Sequence, residues 1–260
     1  MPEGDTIHYA ANRIRPILEG HVPDELRTLH PRFRADRWPE KLSGRTVTGV
    51  DAHGKHLFLR FEGDLVIHSH LRMTGSWGTY LVGERWRRSP RRAWLRIAQG
   101  NGEVVQFDGP VLELMTSGRT RFDQRIAGLG PDIIAASWDE DRFLRRLRDD
   151  DPTRPIGDAL LDQRTVAGIG NLWKVEGCFD AEIDPWRRTG DVSDEEVLRI
   201  LRRTRPRMQQ SARDGMQERF KVVYGTVGQD CPRCGKLSKI RSRGQGDDNR
   251  VTYWCPRCQR

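Results

Sequence analysis

Four cysteines near the carboxyl end constrain the fold of this chain more than any other feature. They form two pairs, Cys231-Pro-Arg-Cys234 and Cys255-Pro-Arg-Cys258, with twenty residues between them. Two C-x2-C pairs at this spacing are typical of a tetrahedral zinc site in a protein from a reducing compartment. The sequence therefore predicts a zinc finger with one structural Zn²⁺ ion. Two redox-active C-x2-C motifs, or ligation of an iron–sulfur cluster, are the alternatives.

A structural zinc ion contributes about 10–16 kcal/mol of apparent binding free energy to folding, enough to hold a short hairpin with almost no core. Between the pairs, the segments LSKIRS and RVTYW favour two strands that are joined by the polar tip RGQGDDN. Arg250 begins the returning strand, where its long side chain can enter a groove. The fifth cysteine, Cys178, lies in a helical segment, and we expect it to be an inert buried thiol.

The charge balance favours a polyanionic partner. The 260 residues carry a net charge of +8, and residues 231–260 hold eight Arg or Lys against two Asp. A basic, folded module of this kind suits phosphate groups. No run of about eighteen apolar residues is present, and the start MPEGDTIHYA is not an apolar signal segment, so we expect a cytoplasmic protein without membrane contact.

The first half of the chain predicts one helix and an antiparallel sheet. Apolar residues recur at helical spacing over 6–18, with Asp5 as N-cap. Alternating segments then follow: RTVTGVDA, KHLFLRF, LVIHSHL, AWLRIA, EVVQF and VLELM. Short glycine turns between them indicate a β-sandwich or a barrel-like sheet. His68 and His70 share one side of a strand, and we expect packing and hydrogen bonding there rather than metal binding.

The second half favours helices. Ser137 and Ser193 each precede a glutamate by three residues, which predicts two capping boxes, and Pro206 is expected to interrupt the second helix. The predicted fold class is α+β, with three domains. These are an N-terminal β-sandwich with a leading helix (1–130), a helical domain (131–225) and a zinc-finger β-hairpin (226–260).

A glycine turn lies within the helical domain, in the segment QRTVAGIGNLWKVE at 163–176. Gly168 and Gly170 allow close backbone approach, and Asn171 begins a helix. The free N–H groups of such a helix start can bind phosphate oxygens. A dinucleotide-binding fingerprint is excluded because no strand precedes the turn and the third glycine is missing.

The chain start, Met1-Pro2-Glu3-Gly4, becomes an N-terminal proline once methionine is removed. An α-amine titrates near ~8, against ~10.4 for lysine, and so it is far more often unprotonated at neutral pH. A secondary amine that attacks C1′ of deoxyribose gives a permanently cationic iminium, which acts as an electron sink. Glu3 is suited to move protons to and from the opened sugar.

Taken together, these motifs resemble the formamidopyrimidine-DNA glycosylase/endonuclease VIII family. The matching segments are PEG at the start, GKHL at 54–57, HSHLRMTGSW at 68–77, LGPD at 129–132, LLDQRTVAGIGN at 160–171 and the terminal RVTYWCPRCQR. The resemblance implies a sandwich domain, a helix-two-turn-helix domain and a finger. It also implies damaged double-stranded DNA as the partner. Nothing in the sequence indicates an oligomer, so we expect a monomer.

The resemblance implies roles for individual residues. Pro2 matches the nucleophile, and Glu3 matches the acid/base. Lys55, at the start of a strand, matches a lysine that contacts phosphate, and Met73 matches the side chain inserted where the nucleotide flips out. The helix-turn residues Gly168, Gly170 and Asn171 and the finger arginine Arg250 match the DNA-binding set, with Arg250 clamping the phosphates. Lys55 and Arg250 are also implied, with Pro2 and Glu3, as catalytic residues.

The implied activity is that of a bifunctional DNA glycosylase and AP lyase with β- and δ-elimination. The segment TSGRTRFDQRIAGLGPD lacks the DPRRFG-like loop of 8-oxoguanine enzymes, and Gly4-Asp5-Thr6 resembles the endonuclease VIII branch. Both features favour oxidised pyrimidines, whereas Met73 resembles the purine-lesion branch. Excision of 8-oxoguanine or formamidopyrimidine is one alternative, and a non-catalytic protein that binds damaged DNA is the other.

Overall fold

The structure, a computed structural model, describes residues 2–33 and 35–260. Contacts between Cα atoms divide the chain into two units. The first, here the sandwich unit, comprises Pro2 and residues 6–127, and the second, the C-terminal unit, comprises residues 3–5 and 128–260. In the described ranges, no helix combines the length and the apolar character that crossing a membrane requires.

The leading helix, α1 (Gly4–Leu18), begins two residues before the predicted start. Its apolar face buries Ile7, Ile14 and Leu18. Asp5 is therefore not an N-cap, as predicted, but lies inside the first turn. Its carboxylate accepts hydrogen bonds from the Ser211 hydroxyl at 2.5 Å and the Gln217 amide at 2.9 Å, which explains why an acidic residue is buried there.

Two four-stranded antiparallel sheets make up the sandwich unit, with strand orders β1-β6-β7-β5 and β2-β3-β4-β8. Buried side chains from both sheets and from α1 form one apolar cluster, so the predicted sandwich is confirmed. Neither β1 nor β5 was predicted from the sequence. The elements, in chain order, are β1 (Glu25–Thr28), α2 (Trp38–Leu42), β2 (Val47–His53), β3 (His56–Phe61), β4 (Leu65–His70), β5 (Ser76–Leu81), β6 (Ala93–Gln99), β7 (Gly102–Phe107), β8 (Val111–Thr116), α3 (Ser117–Phe122) and α4 (Gln124–Ala127).

The C-terminal unit is helical up to the finger, with α5 (Glu140–Arg148), α6 (Ile156–Leu161), α7 (Asn171–Ala181) and α8 (Asp194–Asp214). Ser193 and Glu196 form the predicted capping box at the start of α8. The capping box at Ser137 was wrong, because Asp139 caps α5 by accepting from the Arg142 N–H. Helix α8 also continues through Pro206, since buried residues on both sides of it, Leu201 and Met208, keep the helix packed.

The finger (residues 226–260) contains four short strands: β9 (Asp230–Cys231), β10 (Gly235–Lys239), β11 (Arg241–Gln245) and β12 (Arg250–Trp254). The hairpin of β11 and β12 is antiparallel and pairs Gln245 with Arg250 beside the tip. The segment LSKIRS is not one strand, as predicted. It breaks at Ile240, whose N–H donates to the Gln229 carbonyl while its side chain is buried.

Candidate active site and metal centre

The Glu3 carboxylate is bound at the amino end of α7. Glu3 is only 1% exposed. One of its oxygens accepts from the Leu172 N–H at 2.8 Å, and the other accepts from Gly170 at 2.8 Å and from Trp173 at 3.4 Å. A helix start offers unpaired N–H donors and a positive dipole end, and both stabilise a carboxylate. The donors expected to face phosphate therefore bind this side chain instead.

Gly170 and Gly4 are required by the close approach between the chain start and the glycine turn, and Gly168 is required by its backbone conformation. A Cβ atom on Gly170 would lie 2.3 Å from the carboxyl carbon of Glu3, and one on Gly4 would lie 2.7 Å from the Cα atom of Gly168. The Gly4 N–H also donates to the Gly168 carbonyl at 2.9 Å. Gly168 has a φ of +105°, in the region that favours glycine. The glycine turn thus fixes the chain start, with Pro2 directly before Glu3; Met1 lies outside the described residues.

Asn171 and the β12 strand are joined by a hydrogen bond. The Asn171 amide donates to the Val251 carbonyl at 2.8 Å, and its buried side-chain oxygen has no partner among the residues that the structure describes. Arg250 begins β12, as predicted, and its guanidinium lies 3.5 Å from the Asp248 carboxylate. The C-terminal unit therefore brings together Glu3, Gly168, Gly170, Asn171 and Arg250.

Lys55 and Met73 belong to the sandwich unit. Lys55 lies in the turn between β2 and β3, one residue before the strand in which it was predicted, and is half-buried. Met73 follows β4 and is 58% exposed, so it is not a core residue of the sandwich.

The histidines of the sandwich unit pack and hydrogen-bond, as predicted. His56 Nδ1 and His68 Nε2 are 2.8 Å apart, and His68 Nδ1 lies 3.6 Å from the Glu113 carboxylate. Burial lowers the pKa of His56 to about 2 and that of His70 to about 4, and it also lowers the pKa of His68. These side chains are therefore neutral at physiological pH.

Two buried ionisable residues of α7 were missed by the sequence reasoning. Lys174 is fully buried, and this burial lowers its pKa to about 8. Glu176 is also fully buried, which raises its pKa, and it accepts hydrogen bonds from three consecutive N–H groups at 222–224. The sequence signal was present: two charged residues interrupt a helix that is otherwise apolar or small at most positions.

The four cysteines of the finger are positioned to bind a metal ion. Their Sγ atoms all lie within 4.8 Å of one another. Cys231 and Cys258 are 3.9 Å apart, and Cys234 and Cys255 are 3.8 Å apart. Tetrahedral coordination with Zn–S bonds of about 2.3 Å places sulfur atoms about 3.8 Å apart, so the four thiols fit such an ion.

Comparison with known proteins gives the family. The formamidopyrimidine-DNA glycosylase N-terminal domain matches residues 1–110, and the H2TH domain of the same enzymes matches residues 129–221. "Probable endonuclease 8 2" of Streptomyces coelicolor is 39% identical over 100% of this chain and 94% of its own length. "DNA-(apurinic or apyrimidinic site) lyase Nei2" of Mycolicibacterium smegmatis is 36% identical, with 100% and 99% covered.

These matches define a base-excision-repair protein of the helix-two-turn-helix class. The chain belongs to the formamidopyrimidine-DNA glycosylase/endonuclease VIII family. Among solved structures, the complex between Lactococcus lactis Fpg and DNA containing an abasic site has the same fold. It matches with a TM-score of 0.82 at 22% identity over 100% of both chains.

Proposed function

We propose that the protein is a bifunctional DNA glycosylase and AP lyase that acts on damaged double-stranded DNA through Pro2. The observation that carries the proposal is the Glu3 carboxylate, buried and held by three backbone N–H groups next to Pro2, which becomes N-terminal once Met1 is removed. An acid/base group fixed by backbone donors keeps one geometry while it exchanges protons. The homologues named as glycosylases and lyases support the same activity.

The reaction begins when the Pro2 nitrogen attacks C1′ of the damaged nucleoside. The bond from C1′ to the base breaks, the base leaves with the electron pair, and ring opening gives an iminium between Pro2 and C1′. Loss of a C2′ proton then expels the 3′ phosphate in β-elimination, and a second elimination releases the 5′ phosphate. Glu3 is the group that we assign to these proton transfers, protonating the sugar oxygen on ring opening.

DNA binding is assigned to residues of both units. Lys55, Asn171 and Arg250 are proposed to contact phosphates, with Gly168 and Gly170 shaping the turn that supports Asn171. Met73 is proposed to enter the space left when the damaged nucleotide flips out. Flipping costs a few kcal/mol, and least for a poorly stacked base, so damage itself supplies part of the selectivity. Because phosphate contacts dominate affinity, binding should weaken steeply with salt.

Oxidised pyrimidines are the substrates that we favour, and 8-oxoguanine is the second candidate. Two homologues at 36–39% identity carry endonuclease 8 or Nei2 names, whereas the formamidopyrimidine-DNA glycosylase of Thermus thermophilus is 29% identical. Duplexes with thymine glycol, dihydrouracil or 8-oxoguanine, compared at equal concentration, decide between the two. Faster release of 8-oxoguanine than of either pyrimidine would reverse the assignment.

We assign the metal as a single structural Zn²⁺, because four thiolates and no open position match a closed site rather than a catalytic one. The ion would hold the finger and so the strand that carries Arg250. The homologues named above are bacterial, and in bacteria the chromosome lies in the cytosol, where we expect the protein to act as a monomer.

Borohydride trapping tests the proposed chemistry. Reduction of the iminium should attach the protein covalently to an abasic or dihydrouracil duplex. Pro2→Gly replaces the secondary amine by a primary one, whose imine can lose a proton and become neutral, so this variant should form much less of the adduct. Glu3→Gln keeps a similar shape but cannot carry a carboxyl proton, so turnover should fall by about 10²–10⁴-fold. A preparation with methionine removed that binds the duplex tightly yet never forms the adduct would instead support a non-catalytic damage-binding protein.

A further inference from the structure

Lys174 is a buried ammonium that the chemistry described above does not use. It lies in the middle of α7, one turn after Asn171, and is 0% exposed. Lysine is almost never fully buried unless it is paired, because removing a charge from water costs several kcal/mol. A lysine in this place therefore needs partners that the fold has arranged for it.

The partners are two buried polar side chains of the finger. Lys174 Nζ donates to Gln245 Oε1 at 3.1 Å and to the Thr252 hydroxyl. Thr252 in turn donates to Gln245 Oε1 at 2.8 Å, and the Gln245 amide donates to the Pro185 carbonyl at 2.8 Å. Gln245 is 2% exposed and Thr252 is 0% exposed, so these bonds are shielded from water.

The two partners flank Arg250 in the hairpin. Gln245 is paired with Arg250 across the ladder, and Thr252 lies two residues further along β12. Side chains two residues apart on a strand share one face, so Arg250 and Thr252 project to the same side. Asn171 holds the adjacent Val251 carbonyl. Helix α7 therefore forms two side-chain hydrogen bonds to β12, from Asn171 and from Lys174. These residues are three positions apart on one face of the helix.

We propose that Lys174 is a positioning residue that fixes the strand carrying Arg250 against the helix that holds Glu3. The inference rests on the proposed function, because the phosphate contact of Arg250 belongs to it. One end of α7 binds the acid/base carboxylate, and its first two turns bind the strand of the phosphate-binding arginine. The spacing between the two groups is then set by a single rigid helix.

A double-mutant cycle tests this role with three variants: Lys174→Met, Arg250→Ala and the two combined. Their binding affinity is measured on a duplex that contains a tetrahydrofuran abasic analogue. Lys174→Met should weaken binding about tenfold and reduce the salt slope by about one unit, as loss of one phosphate contact does. The combined variant should bind no more weakly than Arg250→Ala alone. Additive losses would overturn the proposal.

Borohydride trapping at saturating DNA gives the second readout. Its rate in Lys174→Met should stay within about twofold of wild type, because backbone donors hold Glu3 independently of Lys174. Cys178→Ala is the matched control, since it removes buried packing one turn further along the same helix, and it should change neither affinity nor salt slope. If Lys174→Met does not fold, Thr252→Val removes the hydroxyl at constant shape and carries the same expectation.

The same measurements separate the two proposals. A wild-type protein that binds the duplex but forms no adduct would contradict the lyase chemistry, while the coupling between Lys174 and Arg250 could still be measured. Normal trapping without that coupling would contradict the role of Lys174 alone.

Discussion

The sandwich and the finger are stabilised in opposite ways. In the sandwich unit, nineteen buried apolar side chains from α1, α2, both sheets and the connecting segments form one cluster. In the described finger, Ile240 is the one buried aliphatic side chain, and the other buried residues are two metal-binding cysteines and the polar Gln245, Thr252 and Gln259.

Because of this difference, the sandwich unit gains most from apolar burial, whereas the finger gains a tightly fixed geometry. An apolar core is non-directional and tolerates small shifts of its members, whereas a metal centre and buried hydrogen bonds hold only in one geometry. The region that carries Arg250, which we propose to bind phosphate, therefore has little apolar stabilisation of its own but few alternative arrangements. The sandwich, which has ample stability, presents Lys55 and Met73 from turns.

Removal of the metal should produce the largest contrast between the two regions. The finger should unfold, because about 10–16 kcal/mol of folding free energy is lost with a structural zinc ion and little apolar burial remains. The backbone amides of the sandwich strands should stay protected from hydrogen exchange. Hydrogen exchange followed by mass spectrometry, before and after chelation, measures both regions at once. Equal protection of residues 241–254 in the two samples would show that hydrogen bonds alone hold the finger.

Leu59→Ala should show the complementary behaviour. Leu59 is fully buried in β3, and such a truncation costs about 2–5 kcal/mol. Urea unfolding should report that loss, while the metal content stays at that of wild type. Leu237→Ala is the control in the finger, because Leu237 is 67% exposed and its truncation should leave stability within about 0.5 kcal/mol.

Gln259→Met tests the hydrogen bonds of the finger. The Gln259 side chain accepts from the Cys255 N–H at 2.8 Å and donates to the Ile183 carbonyl at 3.0 Å. Replacement by a side chain of similar length leaves both buried groups unpaired, at a cost of about 1–3 kcal/mol. Metal affinity, measured by competition with a chromogenic chelator, should fall accordingly. An unchanged affinity would mean that these bonds do not support the metal centre.

The smallest effect concerns pH and the sandwich. Burial lowers the pKa of His56 to about 2 from an ordinary value of 6.5, and the pKa values of His68 and His70 are lowered too. The unfolded chain therefore binds more protons below pH 6.5, so stability is complete above that pH and declines as pH falls. His56 alone contributes about 1.4 kcal/mol per pH unit in this range. The melting temperature of His56→Leu should change less between pH 7 and pH 5.5 than that of wild type. An equal change in the two proteins would contradict the contribution assigned to His56.

Local signals in the sequence predicted most of the fold. The cysteine spacing predicted a metal site from four residues, and the pattern at Ser193 and Glu196 predicted a helix start, because both are short-range features. The errors have physical causes as well. Asp139 is a competing cap near Ser137, and packing of Leu201 and Met208 overrides the local effect of Pro206.

For the candidate site, the sequence suggested individual residues but none of the contacts between them. Pro2 and Glu3 were singled out by chemistry, and the glycine turn by its spacing. The hydrogen bond between Glu3 and Gly170 joins residues 167 positions apart, and no local pattern encodes such a contact. For the same reason, the link from Lys174 to Thr252, which spans 78 positions, could not be anticipated.

Placing residues 3–5 in the C-terminal unit has a consequence for biosynthesis. Residues 3–5 are synthesised long before the segment around 168–173, so the three backbone donors of Glu3 are absent until that segment has been made. A chain whose translation stops after the sandwich therefore cannot assemble this carboxylate site. With the role proposed for Glu3, such a truncated chain should therefore lack lyase activity.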